Sequence, residues 1–423
     1  MVRRISIFVV LIACSSVLWA QPAPAAAGPP SPQRVPLSLA QVLDLAHHQN
    51  PSLLSAAQHL EAVRSQEITA GLRQNPVVLA GGQMISLGPD NPNGPDFYQA
   101  GLQRLFERGG KRQARLDTAR STTALTGFQL EDERRQTDLG IRQAFSRMLY
   151  ARESLAVSRD NLEGYRKTVA LMKIRLDAGD IDQTDFDRID LQLAGFESDF
   201  DNAELTLKQS SIALQTLAGI ARPDEDFAIQ GSLNSSPVTM TLDDLRAAAL
   251  ARRPDLKVAQ AQVEVNIGAE KLAIANGTAD PTVEGEYERS GHANTFGGNI
   301  NIPLRIFDRN QGEKARSRYE LESSRLALTA AQNQVLSDVD TAWAAYLSAQ
   351  SQSQRYQAKY VAEASHVRDN LEFSYRNGNT TLLDYLSALA DYRQVNLAAL
   401  NAKLQLLLSL EQVSYAANTE VLP

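Results

Sequence analysis

Two hydrophobic periods divide the chain, and each occurs twice. Between 111 and 177, apolar residues return every seven positions: Ile141, Met148, Leu155, Leu162, Val169 and Leu176, with Tyr165 and Met172 filling the 3-4 spacing. That spacing predicts one packed face of a single long helix. No Pro interrupts it, and at 1.5 Å per residue its length is on the order of 100 Å. The stretch 313–376 repeats the feature, again without Pro. Each long stretch meets a turn at Gly179 or Gly378 and returns through a second helical stretch, 182–218 or 381–417. Leu397, Leu400, Leu404 and Leu407 continue the seam in the last of these.

Ahead of each long stretch the period shortens to two. In 295–307, Phe296, Gly298, Ile300, Ile302, Leu304 and Ile306 share one face, with Asn299, Asn301, Pro303 and Arg305 on the other. In 280–291, Val283, Gly285 and Tyr287 stand opposite Glu284, Glu286 and Glu288. Poorer copies at 75–87 and 97–107 flank a Pro/Asn/Gly loop, 88–95. These read as two hairpins, 75–107 and 280–307. An apolar face backed by unpaired acids suits strands between lipid and a watery lumen, and spanning strands need about 9–11 tilted residues. An ordinary half-exposed hairpin on a globular domain alternates in the same way. Four strands cannot close a barrel. If they span a membrane, several chains must share one barrel, because an open edge in lipid leaves backbone groups unpaired.

Both halves also open alike, with a short amphipathic helix running to Asn50-Pro51 or Arg253-Pro254. A second helical segment then stops near Pro76 or Pro281. Equivalent landmarks lie about 200 residues apart, far beyond the roughly 20–50-residue period of solenoid repeats. The chain therefore reads as an internal duplication. The first structural repeat is 38–221, with its tip near 179; a linker, 222–240, leads to the second repeat, 241–418, with its tip near 378, and a tail, 419–423.

Composition removes several functions. The 423 residues carry 42 basic and 49 acidic side chains, a net −7, so no polycationic surface argues for nucleic acid. Five His and one Cys leave no material for a disulfide framework or a thiolate metal cluster. His47 and His48 with His59 admit either a weak metal site or a solvated pair, while His292 and His366 have no evident companions. No nucleotide motif and no acid/base constellation are present, so neither an enzyme nor a cofactor is expected. At the N-terminus, Arg3 and Arg4 precede apolar runs at 5–13 and 17–20. This reads as a signal peptide, 1–20, cleaved after Ala20. Leu11-Ile12-Ala13-Cys14 also resembles a lipobox, which would place a lipid on Cys14. A Pro/Ala-rich leader, 21–37, follows.

Signal peptide, duplicated helix–hairpin–helix halves and very long helices together resemble the outer-membrane efflux channel family, the TolC-like proteins. Ile306-Phe307-Asp308-Arg309-Asn310-Gln311-Gly312, where the second hairpin turns into the long helix, is similar to the turn of the CzcC-like heavy-metal branch. Phe106-Glu107-Arg108-Gly109-Gly110-Lys111-Arg112 stands at the matching place in the first half. The resemblance implies a mainly α fold with a small β part. Three chains would form a homotrimer, with four strands each in a twelve-stranded outer-membrane β-barrel and helical hairpins in a periplasmic α-barrel. It further implies a passive exit duct in a Gram-negative outer membrane, serving an inner-membrane RND-type pump through a periplasmic adaptor, a membrane fusion protein. Heavy-metal cations are the expected substrate. Drug efflux or type I protein secretion is the alternative, and a periplasmic coiled-coil scaffold or adaptor is the alternative from another class.

Candidate site residues follow from both lines. Gly109, Gly110, Asn310 and Gly312 tolerate positive φ and would bend the chain from tilted strand into axial helix. Arg108, Lys111, Arg112 and Arg309 would then sit near the inner headgroups, or on a solvated face. Gly179, Asp180, Gly378 and Asn379 mark the tips, which by resemblance contact the adaptor. Six residues after each tip glycine lies an acid, Asp185 or Asp384, followed by Phe186 or Tyr385. The resemblance implies that these acids ring a closed aperture, with Asp182 and Asp187 adding charge, and that Tyr375 matches a gate tyrosine. Three copies would form a negative constriction favouring cations. Asp180 and Asp182 also stand where helix N-termini favour acids, so capping is the competing role. Thr380 occupies the place where some members carry a basic residue, which leaves an ionic lock of that form without its cation.

Overall fold

A computed structural model describes residues 36–83 and 97–421. The signal peptide, Cys14, nearly all of the leader and the 88–95 loop lie outside the described residues. The first half runs α1 (Leu39–Gln49), α2 (Pro51–Gly71), β1 (Val77–Gln83), β2 (Phe97–Leu105), α3 (Lys111–Asp177) and α4 (Gln183–Leu217). The second repeats that order as α5 (Leu242–Arg252), α6 (Pro254–Asn276), β3 (Thr282–Ser290), β4 (Ala293–Asn301), α7 (Gln311–Arg355), α8 (Val361–Arg376) and α9 (Leu382–Ala417). Pro51 and Pro254 open α2 and α6, where the missing N–H is one the helix would leave unpaired anyway.

The helix expected to run unbroken from 313 to 376 is interrupted. Tyr356–Tyr360 forms one π turn between α7 and α8, in which the Val361 N–H reaches back five residues to the Tyr356 carbonyl. Heptad spacing does not reveal this, because a π turn keeps the helix axis and only shifts the seam. The seam of α3 is packed as its period predicts. Ile141, Met148, Leu162, Tyr165 and Met172 are buried, and Leu155, Val169 and Leu176 are half-buried.

The four strands form one antiparallel sheet in the order β1-β2-β3-β4, so the β2–β3 ladder joins the two halves. Register puts Val78, Leu102, Val283, Tyr287, Phe296 and Ile300 on one face, and Gln99, Gln103, Glu284, Glu286, Glu288 and Asn299 on the other. On the apolar face the Tyr287 and Phe296 rings lie 5.2 Å apart. On the polar face the Gln99 amide donates to Glu286 at 2.8 Å. β4 stops at Asn301 rather than continuing to 307. Asn301 pairs with Thr282; the next partner would be Pro281, which has no N–H, and Pro303 lacks one on the other side. Ile302, Leu304, Ile306 and Phe307 leave the ladder yet remain exposed.

Where the two opening helices of each repeat meet, one substitution carries unusual weight. In the first half Asn50 caps α2 and its amide donates to the Leu217 carbonyl at the end of α4 (2.8 Å). Arg253 takes that place in the second half. Buried, it donates to Asp255 (2.5 Å), Asp338 (2.9 Å) and the Ala416 carbonyl (3.3 Å). Arg253→Ala strips two carboxylates and a helix C-terminus of their shared donor. Both acids stay partly solvated, so the cost sits near the low end for a broken buried pair, about 2–3 kcal/mol, against about 1 kcal/mol for Asn50→Ala. Thermal unfolding of the detergent-solubilised protein measures both.

Candidate functional site

Both tips are built on the same turn. Gly179 (φ +81°) and Gly378 (φ +73°) take the left-handed conformation that only glycine adopts without strain. At the first tip the Asp180 N–H bonds to the Arg175 carbonyl (2.8 Å) and the Gly179 N–H to Leu176 (2.9 Å). At the second, Asn379 bonds to Ser374 (2.9 Å) and Gly378 to Tyr375 (3.0 Å). This paired closure uses the last carbonyls of α3 and α8.

The return helices then start differently, and the acids divide accordingly. Asp182 caps α4, accepting from the Asp185 N–H at 2.8 Å. Thr381 caps α9, and the Asp384 carboxylate answers by accepting the hydroxyls of Thr381 (2.6 Å) and Thr380 (3.1 Å). Those hydroxyl bonds hold the exposed Asp384 below the usual carboxylate range. Asp187 accepts from Gln183 at 2.7 Å, and among the described residues the Asp185 carboxylate is paired with Arg188 alone, at 3.9 Å. Asp182 and Asp384 thus serve helix starts while also placing charge at the tips, and Asp185 is the half-buried acid with the weakest partner.

Tyr375 links the two hairpins. Its ring lies parallel to that of Tyr385 at 5.3 Å (7°), and its hydroxyl stands 3.7 Å from Met172 Sδ on α3. The Arg175 guanidinium lies 5.7 Å from the same ring. One layer away, Tyr165 stacks on Phe196 at 4.3 Å and donates to the Ile189 carbonyl at 2.7 Å. Burial pushes the Tyr165, Tyr375 and Tyr385 phenols above their ordinary range, so all three stay neutral at physiological pH. A cleft of about 600 Å³ opens beside them between α3 and α8/α9, with Thr168, Arg368 and Arg376 among its walls. Arg376 is engaged by Glu372 of its own helix. Across the hairpins, the Tyr375 contacts with Met172 and Arg175 are joined by Arg393 of α9, which pairs with Asp199 of α4 at 3.3 Å and lies 5.0 Å from the Phe196 ring.

Sequence reading singled out Tyr375 but missed its partners, although Met172 already stood on the α3 seam. It also missed Glu411. This acid lies in the leucine-rich run of α9, buried, accepting from Ser146 Oγ of α3 at 2.5 Å. Its other oxygen has no hydrogen-bond partner among the described residues. Burial pushes the carboxyl up to about 7.

At the strand-to-helix turns, Gly109 (φ +68°), Gly110 (φ +73°) and Asn310 (φ +64°) bend the chain. A Cβ on Gly109 would stand 2.6 Å from Thr278 Oγ1, so space as well as φ demands glycine. Gly312 does not share that role: it lies inside the first turn of α7, and Asn310 makes the reversal, its amide bonding to the Ala273 carbonyl (2.7 Å). Lys111 is not a headgroup ligand either. It is buried, tied to Asp280 (2.5 Å) and the Thr278 carbonyl (2.7 Å). His47 pairs with Asp138 at 2.6 Å and His48 with Asp44 at 3.5 Å. No group of three or more His, Cys, Asp or Glu among the described residues is arranged to hold a metal. No helix among them is long and apolar enough to cross a membrane.

Comparison with known proteins is consistent across the chain. A family model described as outer membrane efflux protein matches residues 42–220 and 245–419. The cobalt-zinc-cadmium resistance protein CzcC of Cupriavidus metallidurans is 26% identical over 279 residues, 66% of this chain and 65% of its own length. The chain thus spans just under two thirds of that relative. The outer membrane protein TolC of Vibrio cholerae is 22% identical over 405 residues, 90% of this chain and 91% of its own. A membrane protein from Pseudomonas aeruginosa has the same fold, with a TM-score of 0.77 at 18% identity, over 90% of this chain and 92% of that one.

Proposed function

Because the chain belongs to the outer membrane efflux protein family, we propose that three copies form the passive exit duct of a tripartite efflux system. Its place is the outer membrane, with the helical hairpins extending into the periplasm. The observation that carries the reading is the sheet. Among the described residues it has one largely apolar face, with Arg104 and Arg289 near its two ends, one acidic face and two unpaired edges, β1 and β4. Joining β4 of one chain to β1 of the next three times closes a twelve-stranded barrel and leaves no edge in lipid. A periplasmic scaffold would leave that apolar face without an occupant.

The duct holds no energy source of its own, so an inner-membrane pump and a periplasmic adaptor supply force and cargo, the adaptor meeting the tips at Gly179, Asp180, Gly378 and Asn379. Asp185 and Asp384, repeated threefold around the mouth with Asp182 and Asp187 nearby, make the constriction negative. Tyr375 holds it closed. Heavy-metal cations are the substrate this arrangement favours: Glu284, Glu286 and Glu288 continue the negative lining upward, and the cobalt-zinc-cadmium resistance protein is a relative. A deletion strain tests the substrate class. It should become sensitive to cobalt, zinc, cadmium, copper or silver while its tolerance of antibiotics and detergents stays unchanged. Sensitivity to drugs with unchanged metal tolerance would move the duct to a drug pump.

A further inference from the structure

Where the sheet gives way to the helices, the chain carries more positive charge than it uses. Four arginines gather there: Arg104 near the end of β2, Arg108 in the turn after it, and Arg305 and Arg309 in the irregular segment after β4. Asp280, just before β3, holds the turn after β2 by accepting from the Arg108 backbone N–H (2.8 Å), with Arg305 close enough to add to the field at its carboxylate. Arg309 Nε donates to the Arg305 carbonyl at 3.2 Å.

The neighbouring acids are already spent. Asp280 holds Lys111, Glu107 holds Arg115, and Asp308 accepts from the Asn310 N–H (2.8 Å). Among the described residues no carboxylate forms an ion pair with any of the four guanidinium groups. Arg305 Nε is buried without a hydrogen-bond partner, a costly state for a charged donor.

Apolar side chains alternate with this charge. Leu304 is 79% exposed and Phe307 90%, with Ile306 beside them and Phe106 under the Arg104 guanidinium at 5.1 Å. Leu304, Ile306 and Phe307 lie just past the point where the ladder ends, in the irregular segment before α7. A soluble anion would leave the apolar side chains wet, and bare hydrocarbon would leave the arginines unpaired. An amphiphile with an anionic head satisfies both. We propose that this collar, Arg104, Arg108, Arg305 and Arg309 with Leu304, Ile306 and Phe307, binds the phosphate of an anionic phospholipid and seats its acyl chain. Arginine forks suit phosphate oxygens in paired hydrogen bonds, and the inner face of the membrane is where such heads lie. The inference rests on reading the sheet as membrane-spanning.

The test is native mass spectrometry of the full-length assembly released from nanodiscs of equal phosphatidylglycerol and phosphatidylethanolamine. Phosphatidylglycerol should remain bound in about fivefold preference, falling to parity in Arg108→Gln/Arg305→Gln/Arg309→Gln. If that triple variant fails to assemble, Arg309→Gln alone should lower the preference about twofold, since its side chain is exposed and removes one donor fork. Equal retention of both lipids by the wild type, or an unchanged preference in the variants, overturns the proposal. Millimolar inorganic phosphate should leave the retained lipid in place; displacement by it would make this a site for free phosphate and sink the lipid assignment. A chain that will not enter nanodiscs contradicts the membrane reading and this inference with it. Insertion without lipid preference contradicts the inference alone.

Discussion

Replacing Tyr375 with alanine should open the duct that the proposed gate holds shut. The ring gives up its stack on Tyr385, its contact with Met172 and its place beside Arg175. An aromatic pair contributes about 0.5–1.5 kcal/mol beyond burial, and burying the ring itself about 1.5–3 kcal/mol. Tyr375 is only partly buried and Tyr385 belongs to its own hairpin, so the contacts with Met172 and Arg175 are what distinguish closed from open, about 1 kcal/mol per chain. If three chains open together the closed state loses about 3 kcal/mol, enough to raise the open population on the order of a hundredfold. Cells carrying Tyr375→Ala should become sensitive to a large antibiotic that the outer membrane otherwise excludes. Tyr375→Phe keeps the stack, loses one weak hydroxyl–sulfur contact, and should behave as wild type. Unchanged antibiotic tolerance in Tyr375→Ala would mean that the hairpins are held shut elsewhere.

Glu411 makes the helical wall sensitive to pH in a calculable direction. Burial outweighs the hydrogen bond from Ser146 and the fields of Arg142 and Arg147, and lifts the carboxyl from 4.5 to about 7. Below pH 4.5 both folded and unfolded chains hold the proton. Between 4.5 and about 7 the folded chain keeps a proton that the unfolded chain releases, so stability falls as pH rises, and above 7 it levels off. The whole drop is about 3 kcal/mol. Glu411→Gln has nearly the same volume and no charge to desolvate. Its unfolding temperature should lose this slope and exceed that of the wild type at pH 8. Parallel curves for the two proteins from pH 5 to 8 would show that another group carries the dependence.

Residues with a local cause were legible in the sequence. The bounds of α3 follow from the absence of Pro and the seven-residue period, and both tips from a glycine where the helix must reverse. What the sequence hid depends on partners far along the chain. β4 ends at Asn301 because Pro281 stands opposite the next position, a fact of register rather than of alternation. Asp182 and Asp384 sit at the same kind of turn, yet one is itself the cap and the other answers a threonine cap. Lys111 looks like a surface cation until the fold brings Asp280 against it. Glu411 is one acid among leucines, and only the packing of α9 on α3 shows that it faces Ser146 and not water.

The most direct measurement is the ion selectivity of the purified protein in a planar bilayer under a tenfold potassium chloride gradient. A trimeric duct with an acidic mouth predicts stepwise conductance with a cation-selective reversal potential. That potential should move toward zero in Asp185→Asn/Asp384→Asn while the assembly stays intact. Absence of conductance steps, or the same selectivity in the neutralised variant, would contradict the account.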